Sequence, residues 1–302
     1  MSSYQPSRAL ACLLVVLAVL IGSGMDIFGK TAMAGATAWQ GAALRWIYGL
    51  ALLAPILLAL RRRPGMVDRR VHVFRMLLNL IGTWCYFEAL ARLPLSLVVT
   101  VFYAEPLLAL PLVRLILKER LDWPRLAALA LGFGGVLLAA QPQGSTDLWA
   151  VLLALLGAGA WATLFVLTKR FGQQESVLDL MFWLALSTTL LATPLALLDW
   201  RPLPAETWWG FLGVAVCGLL NGLCWLTALK RLDALVMTTL SYLALPCGFA
   251  AAMLVFGERP ALATWLGAGL VLLAVAMLGY GERRFRLLAL AITPDGAAVP
   301  RP

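Results

Sequence analysis

The sequence predicts an all-α membrane protein with ten transmembrane helices arranged as two inverted five-helix repeats. Its 302 residues are 62% hydrophobic and only 13% charged, and the mean hydropathy is +0.88, whereas a soluble domain carries about a quarter charged residues. Apolar runs of about 20 residues, the length that crosses a bilayer, recur along the chain. The chain also matches itself at one constant offset. These observations exclude a water-soluble globular fold.

Ten apolar runs, separated by charged residues, Pro and Gly, predict the ten helices. Pro94, Pro124 and Pro260 lie at or next to predicted first turns, where the missing N–H of proline costs nothing. The predicted spans are 8–29, 38–60, 71–91, 94–117, 123–141, 147–168, 177–199, 206–229, 234–256 and 260–281.

The basic residues predict the orientation of these helices. If the N-terminus is cytoplasmic, nineteen Lys and Arg residues lie in cytoplasmic segments, four lie outside and Arg45 lies within a helix. Cytoplasmic loops of membrane proteins carry such an excess, so we expect both termini in the cytoplasm. The net charge of +9 then follows from the basic residues that flank the membrane helices on the cytoplasmic side, and no nucleic-acid partner is needed to explain it.

An internal repeat is visible in polar residues and prolines of the two halves. Lys30 matches Lys169, Pro55 matches Pro194, Tyr103 matches Tyr242, and Glu119-Arg120 matches Glu258-Arg259, each pair 139 residues apart. Because a unit of five spans is odd, the second copy crosses the membrane in the opposite direction, as in many secondary transporters. We therefore predict a first repeat at 8–141, a second at 147–281 and a cytoplasmic tail at 282–302.

The stretches 89–120 and 228–259 carry a family resemblance. Each is a helix that contains Pro and ends in Glu-Arg, and together they resemble the EamA domains of the drug/metabolite transporter superfamily. The resemblance covers about residues 10–281. It implies a ten-helix carrier with a central cavity, often a bacterial inner-membrane exporter of amino acids or other small metabolites. Lys118 departs from the family's usual Gly before Glu, whereas Gly257 keeps it.

Ionisable groups within membrane helices are costly and mark candidate sites. Asp26 and Glu88 each have a basic residue four positions later, Lys30 and Arg92, so we interpret both acids as locally paired near the outer surface.

Arg45 and Glu105 have no charged neighbour on their own helices. Two interpretations remain open: an ion pair that joins the second and fourth helices, or a site that binds substrate, with Glu105 as a candidate proton or cation site. The equivalent positions in the second half hold Leu184 and Ala244, so this charge chemistry is specific to the first half.

Further candidates for a substrate-binding or translocation site lie on the third, fourth, eighth and ninth helices. Asn residues also serve helix packing in membranes, and this alternative stays open. Tyr103 and Glu105 point about 200° apart on a straight helix, so both can line one pore only if Pro106 distorts the turn. Pro106 and Pro246 are candidate hinges. The remaining candidates are Asn79, Tyr86, Tyr103, Asn221, Trp225 and Tyr242.

Three other titratable residues have structural interpretations. Glu119 and Glu258 lie just before the next predicted helix, where an acid favours the positive end of that helix dipole. His72 lies among arginines at the predicted cytoplasmic edge of the third helix and is interpreted as a solvated interfacial residue.

We expect a secondary transporter that moves a small organic metabolite by alternating access. Arg45 favours a carboxylate-bearing solute such as an amino acid, and the family resemblance favours export. The alternatives are an exporter of cationic drugs or amines, for which an acid alone would suffice, and an intramembrane enzyme. A single histidine and the lack of paired catalytic acids argue against an enzyme. No cofactor or metal site is expected, because the five cysteines lie in apolar runs without a CxxC pair.

Overall fold

The computed structural model describes residues 8–61, 64–105, 107–109, 111–112, 123–139, 147–232, 237, 240–241, 243–274 and 276–277. These residues form helices, turns and short connections, and no strand occurs among them. Five of the helices are long and apolar enough to cross a membrane. The protein is therefore an all-α, multi-pass membrane protein.

The described part of the chain includes ten α-helices that correspond in order to the ten predicted spans, and further helical residues follow α4 and precede α9. The end of α6 continues into a 3₁₀ turn, Gly172–Gln174. The helices are α1 (Arg8–Met33), α2 (Ala38–Ala59), α3 (Arg69–Arg92), α4 (Leu95–Phe102), α5 (Trp123–Ala139), α6 (Leu148–Phe171), α7 (Val177–Leu198), α8 (Ala205–Leu229), α9 (Ala244–Phe256) and α10 (Leu262–Ala274).

The two halves repeat the same helix boundaries. Displacing α2 by 139 residues gives the bounds of α7. The N-caps match as well: Thr37 accepts a hydrogen bond from the N–H of Gln40, and Ser176 accepts one from the N–H of Asp179. These side chains satisfy N–H groups that a helix start leaves unpaired.

The direction of the helices shows that the repeats are inverted. Tyr86 meets Asp26, and the Leu90 carbonyl meets Lys30, so α1 and α3 run in parallel. Gly157 packs against Cys85, and Asp147 meets Arg92, so α3 and α6 run antiparallel. Consequently α1 and α6, the first helices of the two repeats, cross the bundle in opposite directions.

The repeats interlock through helix pairs that a pseudo-twofold axis relates. The most extensive contacts join α1 to α8, α3 to α6 and α2 to α7. Close approach depends on glycine where a Cβ would collide: Gly82 faces the Trp161 ring, and a Cβ on Gly210 would lie 2.8 Å from that of Ala32. The helices of each repeat therefore pack mainly against helices of the other repeat.

The fourth helix of each repeat is interrupted at equivalent positions. Helix α4 ends at Phe102, Tyr103 and Ala104 form a turn, and helical structure resumes at Glu105. In the second half a turn at Leu243 precedes α9.

The two candidate hinges, Pro106 and Pro246, differ in what the structure describes of them. Pro246 lies in the first turn of α9, where proline is tolerated, and Pro106 lies outside the described residues. Their hinge role stays a prediction.

Candidate functional site

A cavity of about 410 Å³ lies between the two repeats. Helices from both repeats line it, and its walls are mainly apolar and aromatic. Buried side chains lie at both ends: Arg75, Leu180 and Leu229 towards the end where α1 begins, and Tyr86 and Val98 towards the opposite end. This volume suits a small organic molecule.

Most of the candidate residues from the sequence meet in this cavity. Tyr242 and Pro106 lie outside the described residues, and Pro246 does not line the cavity. Leu184 and Ala244, the repeat counterparts of Arg45 and Glu105, line it too. The candidate residues that line it are Arg45, Asn79, Tyr86, Tyr103, Glu105, Asn221 and Trp225.

Arg45 forms no salt bridge with Glu105 in the described structure, so the interpretation as an ion pair between them was wrong. Its Nη1 lies 3.0 Å from the sulfur of Met25, and Met25 precedes Asp26, whose carboxylate lines the same cavity. Arg45 is thus a half-buried guanidinium at the wall of the cavity, with one carboxylate on the same wall.

Asp26 belongs to the cavity, which sequence reasoning missed. It was expected to pair with Lys30, but the Tyr86 hydroxyl donates a hydrogen bond to its carboxylate, and Asp26 lines the cavity. Lys30 instead donates to the carbonyls of Leu90 and Leu93, at 2.7 and 2.5 Å. Helix α3 therefore provides partners that outcompete the local i,i+4 pair. By contrast, the expected pair of Glu88 and Arg92 forms.

Tyr103 and Glu105 both line the cavity because the turn at Tyr103–Ala104 ends α4 between them. The Tyr103 hydroxyl donates to the Ser241 carbonyl at 2.7 Å. Glu105 is half-buried and forms no hydrogen bond or ion pair with another described residue. A carboxyl group therefore faces the cavity with its oxygens open to a ligand or a proton.

Asn79 and Asn221 serve packing while they line the cavity. The Asn79 amide donates to the Thr188 hydroxyl at 2.9 Å, and the Asn221 amide donates to the Ala18 carbonyl at 2.7 Å. The packing interpretation of these residues is therefore confirmed, and their role in binding stays a prediction.

A buried charged cluster closes the end of the cavity at which α1 begins. Glu175 is 6% exposed. Its Oε1 lies 2.7 Å from His72 Nε2 and accepts from the Val67 N–H at 3.1 Å, while Lys230 donates to its backbone carbonyl. Arg75 is the second cation beside it. His72 is buried against Glu175, so its interpretation as a solvated residue was wrong. The contact was missed because Glu175 lies 103 residues away, in the second repeat.

Glu258 caps a helix other than the one expected. Its carboxylate accepts hydrogen bonds from Leu95 N–H at 2.6 Å, Ser96 N–H at 3.1 Å and the Ser96 hydroxyl at 2.9 Å. The acid thus stabilises the N-terminus of α4 in the other repeat, not that of the following α10. Glu119 lies outside the described residues.

At the opposite end, Asp147 caps α6. The Ala150 N–H donates to Asp147, with Arg92 nearby, and this lowers the pKa of Asp147 below its usual value. Within the described ranges, no cluster of His, Cys, Asp and Glu is arranged to hold a metal.

Inverted repeats of membrane helices around a central cavity define a secondary transporter. The EamA-like transporter family matches residues 9–141 and again 148–280, and the chain belongs to this family, within the drug/metabolite transporter superfamily. Its members are transporters rather than enzymes.

Characterised relatives match along most of the chain. It is 27% identical over 272 residues to the S-adenosylmethionine uptake transporter of Rickettsia prowazekii (strain Madrid E), covering 89% of this chain and 92% of that protein. It is 29% identical to the riboflavin transporter of Rhizobium johnstonii, covering 93% and 94%. A protein crystal structure superposes with a TM-score of 0.70 at 21% identity, over 92% of this chain and 99% of that one, and shows the shared fold. The chain is therefore a transporter of small metabolites.

Proposed function

We propose that this transporter moves a zwitterionic metabolite that joins an α-amino-acid group to a larger planar part, across the bacterial inner membrane by alternating access. The observation that carries the proposal is the position of Arg45 and Asp26 in one cavity. A guanidinium fits a carboxylate through two parallel hydrogen bonds, and a carboxylate fits an ammonium group. Opposite charges on the substrate would match both residues.

The cavity walls support the planar part of the substrate. Trp46, Phe102, Trp161 and Trp225 line the cavity, and aromatic faces stack on flat rings. Met25 and Met181 contribute thioethers, which adapt to irregular ligands. S-Adenosylmethionine, the substrate in the name of one relative, contains both an α-amino-acid group and a planar base.

Riboflavin is the second candidate substrate. The riboflavin transporter is 29% identical to this chain, and the same aromatic walls suit a flavin ring. This ligand carries no carboxylate, so Arg45 would be incidental to its binding. Export of a simple cationic amine fits less well, because such a ligand has no carboxylate to pair with the guanidinium that lines the cavity.

We further propose import, proton coupling and cytoplasmic termini. A relative named as an uptake transporter favours import over the export that the family resemblance implies. Glu105 faces the cavity at the break after α4, where a carboxyl group could take up and release a proton as access alternates. The nineteen-to-four distribution of basic residues favours a cytoplasmic position for the N-terminus and the C-terminus of the chain.

Uptake into proteoliposomes tests the proposal. Radiolabelled S-adenosylmethionine and riboflavin are supplied separately, and Arg45→Gln is compared with Arg92→Gln, an arginine outside the cavity. We expect saturable S-adenosylmethionine uptake that Arg45→Gln lowers about tenfold and Arg92→Gln leaves unchanged. Uptake of riboflavin alone would favour the second candidate, and uptake of neither would overturn both.

A further inference from the structure

Helix α3 carries a second buried cation into the cavity. Arg75, Asn79 and Tyr86 all line it, and the helical rise separates Arg75 from Tyr86 by about 16 Å along the axis. Arg45 contacts Met25, next to Asp26 and its hydrogen-bond donor Tyr86. The two guanidinium groups therefore lie at different depths of one cavity, with Arg75 nearer the end at which α1 begins.

The pairing of Arg75 is incomplete. Its side chain is 4% exposed, and its Nη1 lies 4.0 Å from Oε2 of Glu175, which is too far for a hydrogen bond. Neither Arg75 Nε nor Glu175 Oε2 has a hydrogen-bond partner. A buried guanidinium with an unpaired donor is costly, and Arg75 lines the wall of the cavity.

The partner of Arg75 belongs to the other repeat. Glu175 lies just after the 3₁₀ turn that follows α6, while Val67, His72 and Arg75 lie at the start of the first repeat's α3 or before it. In an alternating-access cycle, opening this end would move the repeats apart there and take Glu175 away from Arg75. The repeat counterparts of Arg75 and Glu175 are Val214 and Ala36, so the second copy of these positions does not duplicate the pair.

We propose that Arg75 is a second anion site on the transport path, where the carboxylate of the substrate replaces Glu175 when this end opens. The exchange keeps the buried guanidinium neutralised throughout the movement, because one anion leaves as another arrives. Arg45 holds the carboxylate in the centre of the cavity, and Arg75 receives it on its way to the end at which α1 begins. This inference rests on the proposed function, since it requires a substrate with a carboxylate.

Opposite effects of the two partners distinguish an exchange site from a structural ion pair. We expect Arg75→Gln to bind S-adenosylmethionine with nearly wild-type affinity but to transport it about tenfold more slowly. Glu175→Gln removes the competing anion, so its affinity should rise about threefold, and adding Arg75→Gln to it should abolish that gain. Arg75→Lys, which keeps a cation, should restore part of the rate.

The measurements are titration calorimetry in detergent and uptake into proteoliposomes, with Arg92→Gln as the matched arginine control on α3. Binding itself reports that each variant is folded. Equal losses of transport in Arg75→Gln and Glu175→Gln, without a gain in affinity, would show that the two residues form only a structural ion pair and would overturn the inference. Wild-type transport by Arg75→Gln would overturn it as well. A wild-type protein that does not bind S-adenosylmethionine would overturn the proposed function, and this inference with it.

Discussion

The Tyr86 hydroxyl on α3 donates a hydrogen bond to the Asp26 carboxylate on α1. This bond fixes the carboxylate at the wall of the cavity, on the side where its charge acts on Arg45. A tyrosine from one helix therefore sets the position of an acid on another, and both lie in the same repeat.

Replacing Tyr86 tests this arrangement. Tyr86→Phe removes the hydroxyl and keeps the ring, so Asp26 loses its hydrogen-bond donor and its fixed position. We expect the affinity for S-adenosylmethionine to fall about fivefold, the typical value of one hydrogen bond, in titration calorimetry. Tyr48→Phe, on α2 and outside the cavity, is the control and should bind normally. Equal affinities of the two variants would contradict the role of Tyr86.

Lys30 stabilises the junction of α3 and α4. Its ammonium group donates to the carbonyls of Leu90 and Leu93, which lie at the C-terminal end of α3, where carbonyls lack helical partners. Lys30→Met should lower the free energy of unfolding by about 2 kcal/mol, because hydrogen bonds to a charged group are lost. Chemical denaturation followed by circular dichroism measures this. Arg201→Met, at an exposed arginine, should cost little, and an equal cost would be evidence against the junction.

Glu258 should contribute to stability through α4. Glu258→Gln weakens three hydrogen bonds to Leu95 and Ser96, and we expect a loss of about 2 kcal/mol in the same denaturation assay. Ser96→Ala removes one of these bonds and should cost about 1 kcal/mol. Glu206→Gln, at an exposed acid in the first turn of α8, controls for the general effect of the helix dipole. A larger loss in this control than in Glu258→Gln would refute the capping role.

Replacing Glu105 tests whether transport is coupled to proton movement. Glu105→Gln keeps the shape of the side chain but cannot exchange a proton, so an inward proton gradient should no longer accelerate uptake of S-adenosylmethionine into proteoliposomes. Exchange between equal substrate concentrations should persist, since it needs no net proton movement. Asp199→Asn, at an exposed acid, should keep the response to the gradient. An unchanged response in Glu105→Gln would eliminate the residue as the coupling site.

Much of the fold could be predicted from the sequence because membrane helices depend on local composition. The bounds of α2 and α7 follow from apolar runs, and their equivalence follows from the repeat offset. The pair of Glu88 and Arg92 was also predictable, since both residues lie on one exposed helix face.

The polar contacts between helices could not be predicted, because their partners are distant in sequence. His72 finds Glu175 across 103 residues, and Asp26 finds Tyr86 across 60. The i,i+4 rule gave the wrong partner for Asp26. Its carboxylate accepts a hydrogen bond from the Tyr86 hydroxyl on α3, while the Lys30 ammonium group binds two backbone carbonyls instead. Arg45 lines the cavity, and its role in binding stays a prediction that rests on the lack of a neutralising residue on its own helix.

Binding in the cavity between the inverted repeats is tested most directly by titration calorimetry of S-adenosylmethionine with the purified protein and with Arg45→Gln. We predict saturable binding to the wild type and about tenfold weaker binding to Arg45→Gln, while Arg92→Gln retains the wild-type affinity. Equal affinity of Arg45→Gln and the wild type would contradict a carboxylate site at Arg45, because the cation meant to hold the substrate could then be removed without consequence.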